Sequence, residues 1–424
     1  MSERNNEARN RGSYSVSADV RGLLEGVKAG AELSAKDAER LLVAEGPDFH
    51  ALIAAADLAR FEDCGDDVSY VVCRNINFTN ICYVGCSFCG FARHKDDPVD
   101  AYDRTHDEII AKCRDAVERG ATEVCIQGGI HPSKTHEHYR DILLAVKAVY
   151  PDLHIHAYSP EEIDFGHRKS GMKLEKYLQW LMDAGLGTMP GTAAEILDDE
   201  IREILSPNKL KTARWVEIIK AAHGLGLRST ATLMYGHIEK PRHIAGHLDL
   251  IREIQKETGG FTEFVPLGFI HERNLLYHLL GARPGPSMLE DLRMIAVSRL
   301  FLRPWITNIQ ISWVKMGHKL GQMALYGGAN DFGGTLMEES ISRESGADFG
   351  ENTPPEEFRR VIREVGRVPV ERTTLYKTVA RFEDPALDPA SREPAKKVEL
   401  SGTARSRQSF ETATTNRSKE APAA

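Results

Sequence analysis

The sequence lacks long apolar runs and an excess of positive charge. No apolar run approaches about 18 residues, so we expect no membrane-spanning helix. The opening stretch, MSERNNEARNRGSYS, has no apolar segment, so we expect no secretory signal. Lysine and arginine number 54 against 62 aspartates and glutamates, a formal charge of −8. This balance argues against nonspecific binding to nucleic acid or to an anionic membrane.

Cysteine is scarce and unevenly distributed. Seven cysteines occur in 424 residues. Cys64, Cys73, Cys113 and Cys125 stand singly, and we expect them to be small apolar side chains. The other three lie close together in TNICYVGCSFCGF. We expect a reducing, cytoplasmic location, where clustered cysteines bind metals or take part in catalysis and seldom form disulfides.

The two ends of the chain differ in composition from its middle. Residues 1–16 are polar, and residues 384–424 are rich in Ser, Thr, Ala, Pro and charged residues, so both are predicted to be disordered tails. Residues 17–68 have a helical pattern that includes a possible capping box at Ser34 and Asp37. Residues 69–383 are predicted to form one catalytic domain with a C-terminal extension.

From residue 69 onward, short β-branched or aromatic runs alternate with helical stretches. Such alternation predicts an α/β fold with a parallel sheet, and eight units predict a (β/α)8 TIM-type barrel. The alternative is an incomplete barrel of six units with an extended tail, because the fourth and eighth strands have the weakest patterns. The predicted strands are 69–77, 122–128, 153–159, 187–191, 228–236, 262–269, 305–313 and 328–336.

The clustered cysteines follow the first predicted strand, at the barrel face that carries the chemistry in this fold. Cys82, Cys86 and Cys89 have the spacing C-x3-C-x2-C. A structural zinc site takes four ligands, and His94 is a residue that could complete one. A [4Fe-4S] cluster normally takes four cysteines, so three would leave one iron open to a substrate or cofactor.

The cysteine loop resembles that of the radical S-adenosylmethionine (SAM) superfamily. The shared features are the C-x3-C-x2-C spacing and an aromatic residue, here Phe88, before the last cysteine. The resemblance implies a [4Fe-4S] cluster on Cys82, Cys86 and Cys89, with the amino and carboxylate groups of SAM on the open iron. It also implies reductive cleavage of SAM to methionine and a 5′-deoxyadenosyl radical.

Longer strings narrow this resemblance. NINFTNICYVGCSFCGFAR, ATEVCIQGGIHP, HIHAYSPEEI, GLGTMPGTAAEILDD and NIQISWVKMG together resemble the tyrosine-using subunit of FO synthase, over most of residues 70–345. The resemblance implies a transferase that cleaves L-tyrosine and adds its 4-hydroxybenzyl group to 5-amino-6-(D-ribitylamino)uracil. This step belongs to the biosynthesis of FO and coenzyme F420.

Two alternatives remain open at this point. Futalosine-pathway enzymes of menaquinone biosynthesis share the cysteine loop and the barrel, whereas a metal-binding protein without catalytic activity would share only the thiols. On the main hypothesis, one C-x3-C-x2-C loop in the chain implies a separate ring-closing FO synthase subunit as partner. An external electron donor is also implied.

Two segments after predicted strands are candidates for SAM binding. The resemblance implies that the turn of Gln127, Gly128 and Gly129 presents its backbone to the amino group of SAM. Taken alone, two glycines after a strand predict only a turn. Ser159 and Glu162 fit a capping box with Pro160 at the first helical position, or else a contact with the cofactor.

Polar residues on lumen-facing sides of the strands are candidates for binding the substrates. Side chains alternate between the two faces of a strand. In NIQISW the polar residues would therefore face the lumen together, where unpaired amides are costly. Asp331 could hold the tyrosine ammonium group or build a turn. The candidates, each with a purely structural alternative, are His154, His156, Thr230, Thr232, Asn308, Gln310, Ser312 and Asp331.

Overall fold

Helices and strands alternate along the chain in a computed structural model that describes residues 15–97 and 100–390. The strands are β1 Asp67–Val71, β2 Cys73–Asn77, β3 Glu123–Gln127, β4 His154–Ala157, β5 Ser229–Tyr235, β6 Phe261–Gly268, β7 Asp331–Gly334, β8 Val368–Arg372 and β9 Thr378–Arg381. The helices are α1 Ala18–Lys28, α2 Ala35–Leu42, α3 Gly46–Cys64, α4 His106–Glu118, α5 His136–Val149, α6 Pro160–Ser170, α7 Leu174–Asp183, α8 Asp199–Leu205, α9 Thr212–Gly224, α10 Pro241–Thr258, α11 Leu275–Leu280, α12 Met288–Leu302, α13 Trp313–Leu325, α14 Ser340–Ser345 and α15 Pro355–Glu364.

Parallel pairings lead from strand to strand and return to the first. β2 pairs with β3, β3 with β4, β5 with β6, and β7 with β1. A single residue lies between the end of β1 and the start of β2. Regular pairing leaves three sheets, and single parallel bridges join them. The predicted α/β class with parallel strands is confirmed. The bridges are His156–Thr188, Met189–Ser229, Phe264–Ile309 and Gln310–Asp331.

Two of the predicted strands are less regular than expected. Segment 187–191 contributes only single bridges, at Thr188 and Met189. The prediction for 305–313 is wrong at its end, because Trp313 already begins α13. Within that segment the N–H of Ile309 bonds to the side-chain oxygen of Asn330 at 2.9 Å and not to a strand carbonyl. Because the side chain of Asn330 accepts this backbone N–H, the regular hydrogen bonding between strands is interrupted at Ile309.

A hairpin of β8 and β9 follows the last predicted strand and was absent from the prediction. β8 pairs in parallel with β1, from Asp67 opposite Val368 to Val71 opposite Arg372, and β9 pairs antiparallel with β8. The buried Arg372 side chain lies 2.5 Å from Asp331 at the start of β7 and 3.2 Å from Glu263 in β6. The hairpin therefore fixes the amino ends of these strands, opposite the loops that carry the cysteines.

Replacement of Arg372 by methionine is expected to lower the free energy of unfolding by about 3–5 kcal/mol, because it leaves buried carboxylates without their cation. Chemical denaturation measures the loss. Arg381→Met is the matched control in the same hairpin, because its ion pair with Asp67 is exposed and should be worth at most about 1 kcal/mol. Equal losses in the two variants would contradict this account of the hairpin.

Three helices, α1 to α3, precede β1, and the capping box of Ser34 and Asp37 is present at the start of α2. Within the described residues, no helix is long and apolar enough to cross a membrane.

Most of both predicted tails lies outside the described residues. The exception is 384–390, where Asp388 pairs with Arg363 at 2.6 Å and with Arg359 at 3.2 Å. The boundary of the predicted C-terminal tail therefore stays a prediction.

Candidate active site

A cavity of about 260 Å³ opens among the loops at the carboxyl ends of the strands. Cys82, Cys86 and Cys89 line it, together with residues that follow β3 and β4 and residues at the ends of β5 and β6. Apolar side chains such as Phe91 and Phe269 form much of the wall. The cavity thus lies at the face where parallel barrels carry their active sites.

The cysteine loop is held by its own backbone and by contacts with a distant helix. Ser87 donates its N–H and its hydroxyl to the carbonyl of Leu205, at 2.8 and 2.9 Å. Cys89 donates its N–H to the carbonyl of Cys86 at 3.2 Å, which curls the chain between these two thiols. The curl brings all three cysteines to one wall of the cavity.

The environment of the thiols fits a [4Fe-4S] cluster. Burial raises the pKa of Cys82 and raises that of Cys86 to about 12, so these thiols are neutral at pH 7 until a metal displaces their protons. Among the described residues, no three His, Cys, Asp or Glu side chains surround a single ion site. A cluster does not need such a site, because each cysteine binds a different iron. The zinc alternative gains no support, and His94 is exposed and pairs with Asp96.

The glycine turn after β3 packs directly against the cysteine loop. Gly129 donates its N–H to the carbonyl of Thr79 at 2.8 Å. A Cβ atom on Gly129 would meet the carbonyl of Ile81 and lie 3.0 Å from the Cβ of Cys82. A Cβ on Gly128 would lie 2.6 Å from the Phe78 ring. Glycine is needed at both positions because the two loops are in close contact, and both glycines line the cavity.

Ser159 and Glu162 form the predicted capping box at the start of α6. One oxygen of Glu162 accepts hydrogen bonds from the N–H and the hydroxyl of Ser159, both at 2.7 Å. Its other oxygen accepts the N–H of Gly128 at 3.0 Å. Burial raises the pKa of Glu162 to about 7. The box therefore both starts the helix and fixes the glycine turn, and both residues line the cavity.

Replacement of Glu162 by alanine is expected to lower the free energy of unfolding by about 2 kcal/mol, since it removes the cap and leaves the N–H of Gly128 without a partner. It should also weaken SAM binding, because the glycine turn loses its anchor. Glu108→Ala is the matched control. It removes the same kind of box from α4, with Thr105, without a contact to the glycine turn. Denaturation curves and SAM titrations separate the two variants, and equal SAM affinities would contradict the anchoring role.

Several residues of the cavity wall were not predicted from the sequence. Thr192 donates its hydroxyl to the side-chain oxygen of Gln127 at 2.8 Å, across the cavity. Lys209 forms an ion pair with the buried Glu195, and its ammonium group lies 5.7 Å from the centre of the Phe88 ring. These residues follow the irregular fourth segment of the ring. The sequence around them has no helical or strand periodicity that would have indicated these residues. Lys209 lies in the segment LSPNKL.

The two histidines of β4 do not reach the cavity. Nε2 of His154 and Nδ1 of His156 both lie within hydrogen-bond distance of the hydroxyl of Thr188, at 2.8 and 2.7 Å. Burial lowers the pKa of His154 to about 4 and that of His156 to about 3, so both remain neutral at pH 7. The structural alternative describes them better than substrate binding, because neither lines the cavity and Thr188 occupies one ring nitrogen of each.

The two threonines of β5 bind the backbone of one glycine. Thr230 accepts the N–H of Gly191 at 2.8 Å, and Thr232 donates to the carbonyl of Gly191 at 2.8 Å. Only Thr232 also lines the cavity. Thr230 is therefore a structural residue, whereas Thr232 keeps its place as a substrate candidate.

The predicted polar face of NIQISW divides among different environments. Asn308 donates to the carbonyl of Thr262 at 2.9 Å and accepts from the side chain of Asn330 at 3.1 Å, so its amide is already paired. Ser312 is the N-cap residue of α13. Gln310 is half-buried, and its side chain makes no hydrogen bond within the described part of the chain. Of the three, Gln310 alone has a side-chain amide without a hydrogen bond, although it is not among the residues that line the cavity.

Asp331 lies away from the cavity, in the network at the amino ends of the strands. Its carboxylate accepts hydrogen bonds from Ser69 and Arg372, both at 2.5 Å, and from the N–H of Gly333 at 2.6 Å. These donors occupy both oxygens of a fully buried carboxylate. The structural alternative therefore describes Asp331 better than binding of the tyrosine ammonium group, because Arg372 supplies its cation.

Comparisons with known proteins agree with this geometry. Residues 76–251 match the radical SAM superfamily, and residues 258–384 match the CofH/MqnC C-terminal region. The chain is 47% identical to the 5-amino-6-(D-ribitylamino)uracil–L-tyrosine 4-hydroxyphenyl transferase of Methanothermobacter thermautotrophicus over 347 residues, which are 82% of this chain and 94% of that protein. It is 52% identical to the protein of the same name from Methanocaldococcus jannaschii, over 77% of this chain and 91% of that one.

A longer relative and two solved structures extend the comparison. FO synthase of Mycobacterium tuberculosis is 49% identical over 80% of this chain but only 40% of its own length. The maturase HydG from Carboxydothermus hydrogenoformans has a TM-score of 0.65 at 15% identity, covering 84% of this chain and 80% of that one. Methylornithine synthase PylB has a TM-score of 0.63 at 20% identity, covering 82% and 97%. These two structures share the fold.

Proposed function

The chain belongs to the radical SAM family that includes the 5-amino-6-(D-ribitylamino)uracil–L-tyrosine 4-hydroxyphenyl transferases, and from this membership we propose its reaction. The enzyme cleaves L-tyrosine and adds the 4-hydroxybenzyl group to 5-amino-6-(D-ribitylamino)uracil, a step toward FO and coenzyme F420. The observation that carries this function is identity of about half over nearly the whole length of relatives with that name.

In this proposal the cavity residues hold two cofactors. Cys82, Cys86 and Cys89 ligate a [4Fe-4S] cluster, which leaves one iron for SAM. When bound, the two cofactors supply an organic radical that removes a hydrogen atom from the substrate. The backbone of Gly128 and Gly129 binds the amino end of SAM, which the position of this turn beside the cysteine loop supports.

The remaining cavity residues orient the ligands and keep water out. Ser159 and Glu162 support the glycine turn, Phe88 stands between Cys86 and Cys89, and Gln127 is held by Thr192. A carbon radical reacts with almost any nearby C–H bond, so positioning and exclusion of water decide which product forms. Apolar side chains of the wall exclude water. Thr232 and Gln310 are the predicted substrate residues that we retain.

The relatives bear on the partners of the enzyme. The chain spans about 40% of the length of the FO synthase from M. tuberculosis. We therefore propose that a separate subunit closes the deazaflavin ring and that an external donor supplies electrons.

All seven cysteines are free thiols, which favours a reducing compartment and supports our proposal of a cytoplasmic location.

An omission series tests the proposed reaction. The cluster is reconstituted anaerobically, and reactions contain SAM, reductant and either or both substrates. Mass spectrometry should detect a hydroxybenzyl adduct only when both substrates are present, together with 5′-deoxyadenosine. 5′-Deoxyadenosine without an adduct would shift the function toward the futalosine enzymes, because the matched C-terminal family includes MqnC.

A further inference from the structure

Lys315 is a cavity cation that lacks a counter-charge. It lies in the first turn of α13 and lines the same cavity as the three cysteines. Its one hydrogen bond is a long contact of 3.4 Å to the hydroxyl of Ser342, which also lines the cavity. Among the residues that the structure describes, no carboxylate lies within the 4 Å of an ion pair. An ammonium group has three donors, so most of its capacity is unused.

The protein does not neutralise this charge from within. Burial lowers the pKa of Lys315, and Glu339 is the one carboxylate whose charge opposes this effect. The oxygens of Glu339 both accept the N–H of Ser342, at 3.2 and 2.9 Å. Lys209, on the same cavity wall, has Glu195 as a direct partner. Lys315 is half-buried, and cations that are partly withdrawn from water are normally paired, so Lys315 is suited to an anion that arrives with a ligand.

Two ligands of this enzyme carry a carboxylate, SAM and L-tyrosine, and the surroundings of the two lysines distinguish them. The ammonium group of Lys209 lies 5.7 Å from the centre of the ring of Phe88, which stands between Cys86 and Cys89 in the chain, so Lys209 lies near the cluster and its SAM. Lys315 instead contacts the hydroxyl of Ser342 in α14, at 3.4 Å. The position of Lys315 therefore favours the substrate.

We propose that Lys315, with the hydroxyl of Ser342, forms the subsite for the α-carboxylate of L-tyrosine. The inference rests on the proposed function and deepens it. The ammonium group pairs with the carboxylate and anchors the amino-acid end of the substrate. The Cα–Cβ bond and the aromatic ring are then held at a fixed distance from this anchor. The subsite selects an amino acid over an amine of the same ring and side chain.

Equilibrium binding of L-tyrosine and of tyramine, which lacks the carboxylate, tests this subsite without turnover. The protein carries its cluster and SAM but no reductant. Lys315→Met should weaken tyrosine binding about 100-fold, the usual effect of removing one partner of a buried charge pair, and should leave tyramine binding unchanged. Lys315→Arg should recover part of the loss. Lys319→Met is the matched control, because Lys319 is exposed one turn further along α13.

The outcomes separate this inference from the reaction itself. If the wild type forms the adduct and Lys315→Met discriminates between tyrosine and tyramine as the wild type does, the subsite is overturned and the reaction stands. If Lys315→Met weakens SAM binding and leaves tyrosine binding intact, the lysine serves the cofactor and the inference is overturned. If the wild type forms no adduct, the reaction fails and the inference with it. Melting temperatures confirm that each variant is folded.

Discussion

Replacement of Cys86 by alanine should reduce formation of 5′-deoxyadenosine more than about 100-fold. This loss exceeds the roughly 10- to 100-fold that is typical when a residue beside a metal ligand, and not the ligand itself, is replaced. The thiol lies at the cavity wall, on a loop that the carbonyl of Leu205 and the N–H of Cys89 hold in place. Among the described residues, no fourth cysteine lines the cavity to replace it. The same loss is expected for Cys82→Ala and Cys89→Ala. Iron content and product formation are measured on anaerobically reconstituted protein.

Cys64→Ala is the control for this prediction. Cys64 is half-buried at the end of α3, where its thiol makes a long contact of 3.9 Å with the carbonyl of Thr307. It does not line the cavity, so the variant should keep its iron and its SAM cleavage. A Cys86→Ala protein with a full cluster and normal SAM cleavage would remove Cys86 from the ligand set.

Gly129→Ala should have the second-largest effect, although it adds only one methyl group. The new Cβ would overlap the carbonyl of Ile81 and press on the Cβ of Cys82. Both neighbours belong to the cysteine loop, and backbone cannot move aside as a flexible side chain does. We expect cluster incorporation or SAM cleavage to fall about 100-fold. Iron content and the visible absorbance of the cluster report the first, and 5′-deoxyadenosine reports the second.

Gly246→Ala makes the same change where space is open. Gly246 is an exposed position of α10, and no atom lies within 4 Å of a Cβ built there. Alanine favours a helix over glycine, so this variant should be more stable by about 0.5–1 kcal/mol and fully active. If Gly129→Ala retained its cluster and its activity as Gly246→Ala does, close packing of the two loops would not matter for function.

The parts of the structure that the sequence predicts are those with local signals. Three cysteines within eight positions announce a metal site without knowledge of the fold. Alternating strand and helix patterns indicate parallel strands, because each pattern depends on burial within a single element. Ser159 and Glu162 were predicted as a capping box for the same reason, since both partners lie in one helical turn.

The parts that were missed depend on contacts between distant segments. Asp331 looked available for a substrate until Arg372, 41 residues later, supplied its cation from an unpredicted hairpin. His154 and His156 looked like a binding pair, but the hydroxyl of Thr188 occupies both. Pairing across the sequence decides whether a polar residue is free to bind a ligand, and neither composition nor periodicity carries that information.

Lys315 shows the reverse case. In NIQISWVKMG it follows a strand pattern and carries no motif, so nothing in the sequence alone singles it out. Its proposed role follows only from two structural facts, a place in the cavity wall and the lack of an ion-pair partner among the described residues. Unpaired charge inside a cavity is visible only after every neighbouring element is in place.

The most direct test of the central claim uses uniformly carbon-13-labelled L-tyrosine with unlabelled 5-amino-6-(D-ribitylamino)uracil, SAM and reductant. The account predicts an adduct that has gained the mass of the labelled hydroxybenzyl carbons alone. The two remaining labelled carbons should leave as a small product, in step with 5′-deoxyadenosine. An adduct that retains every tyrosine carbon, or 5′-deoxyadenosine formed without any labelled adduct, would contradict the proposed transfer.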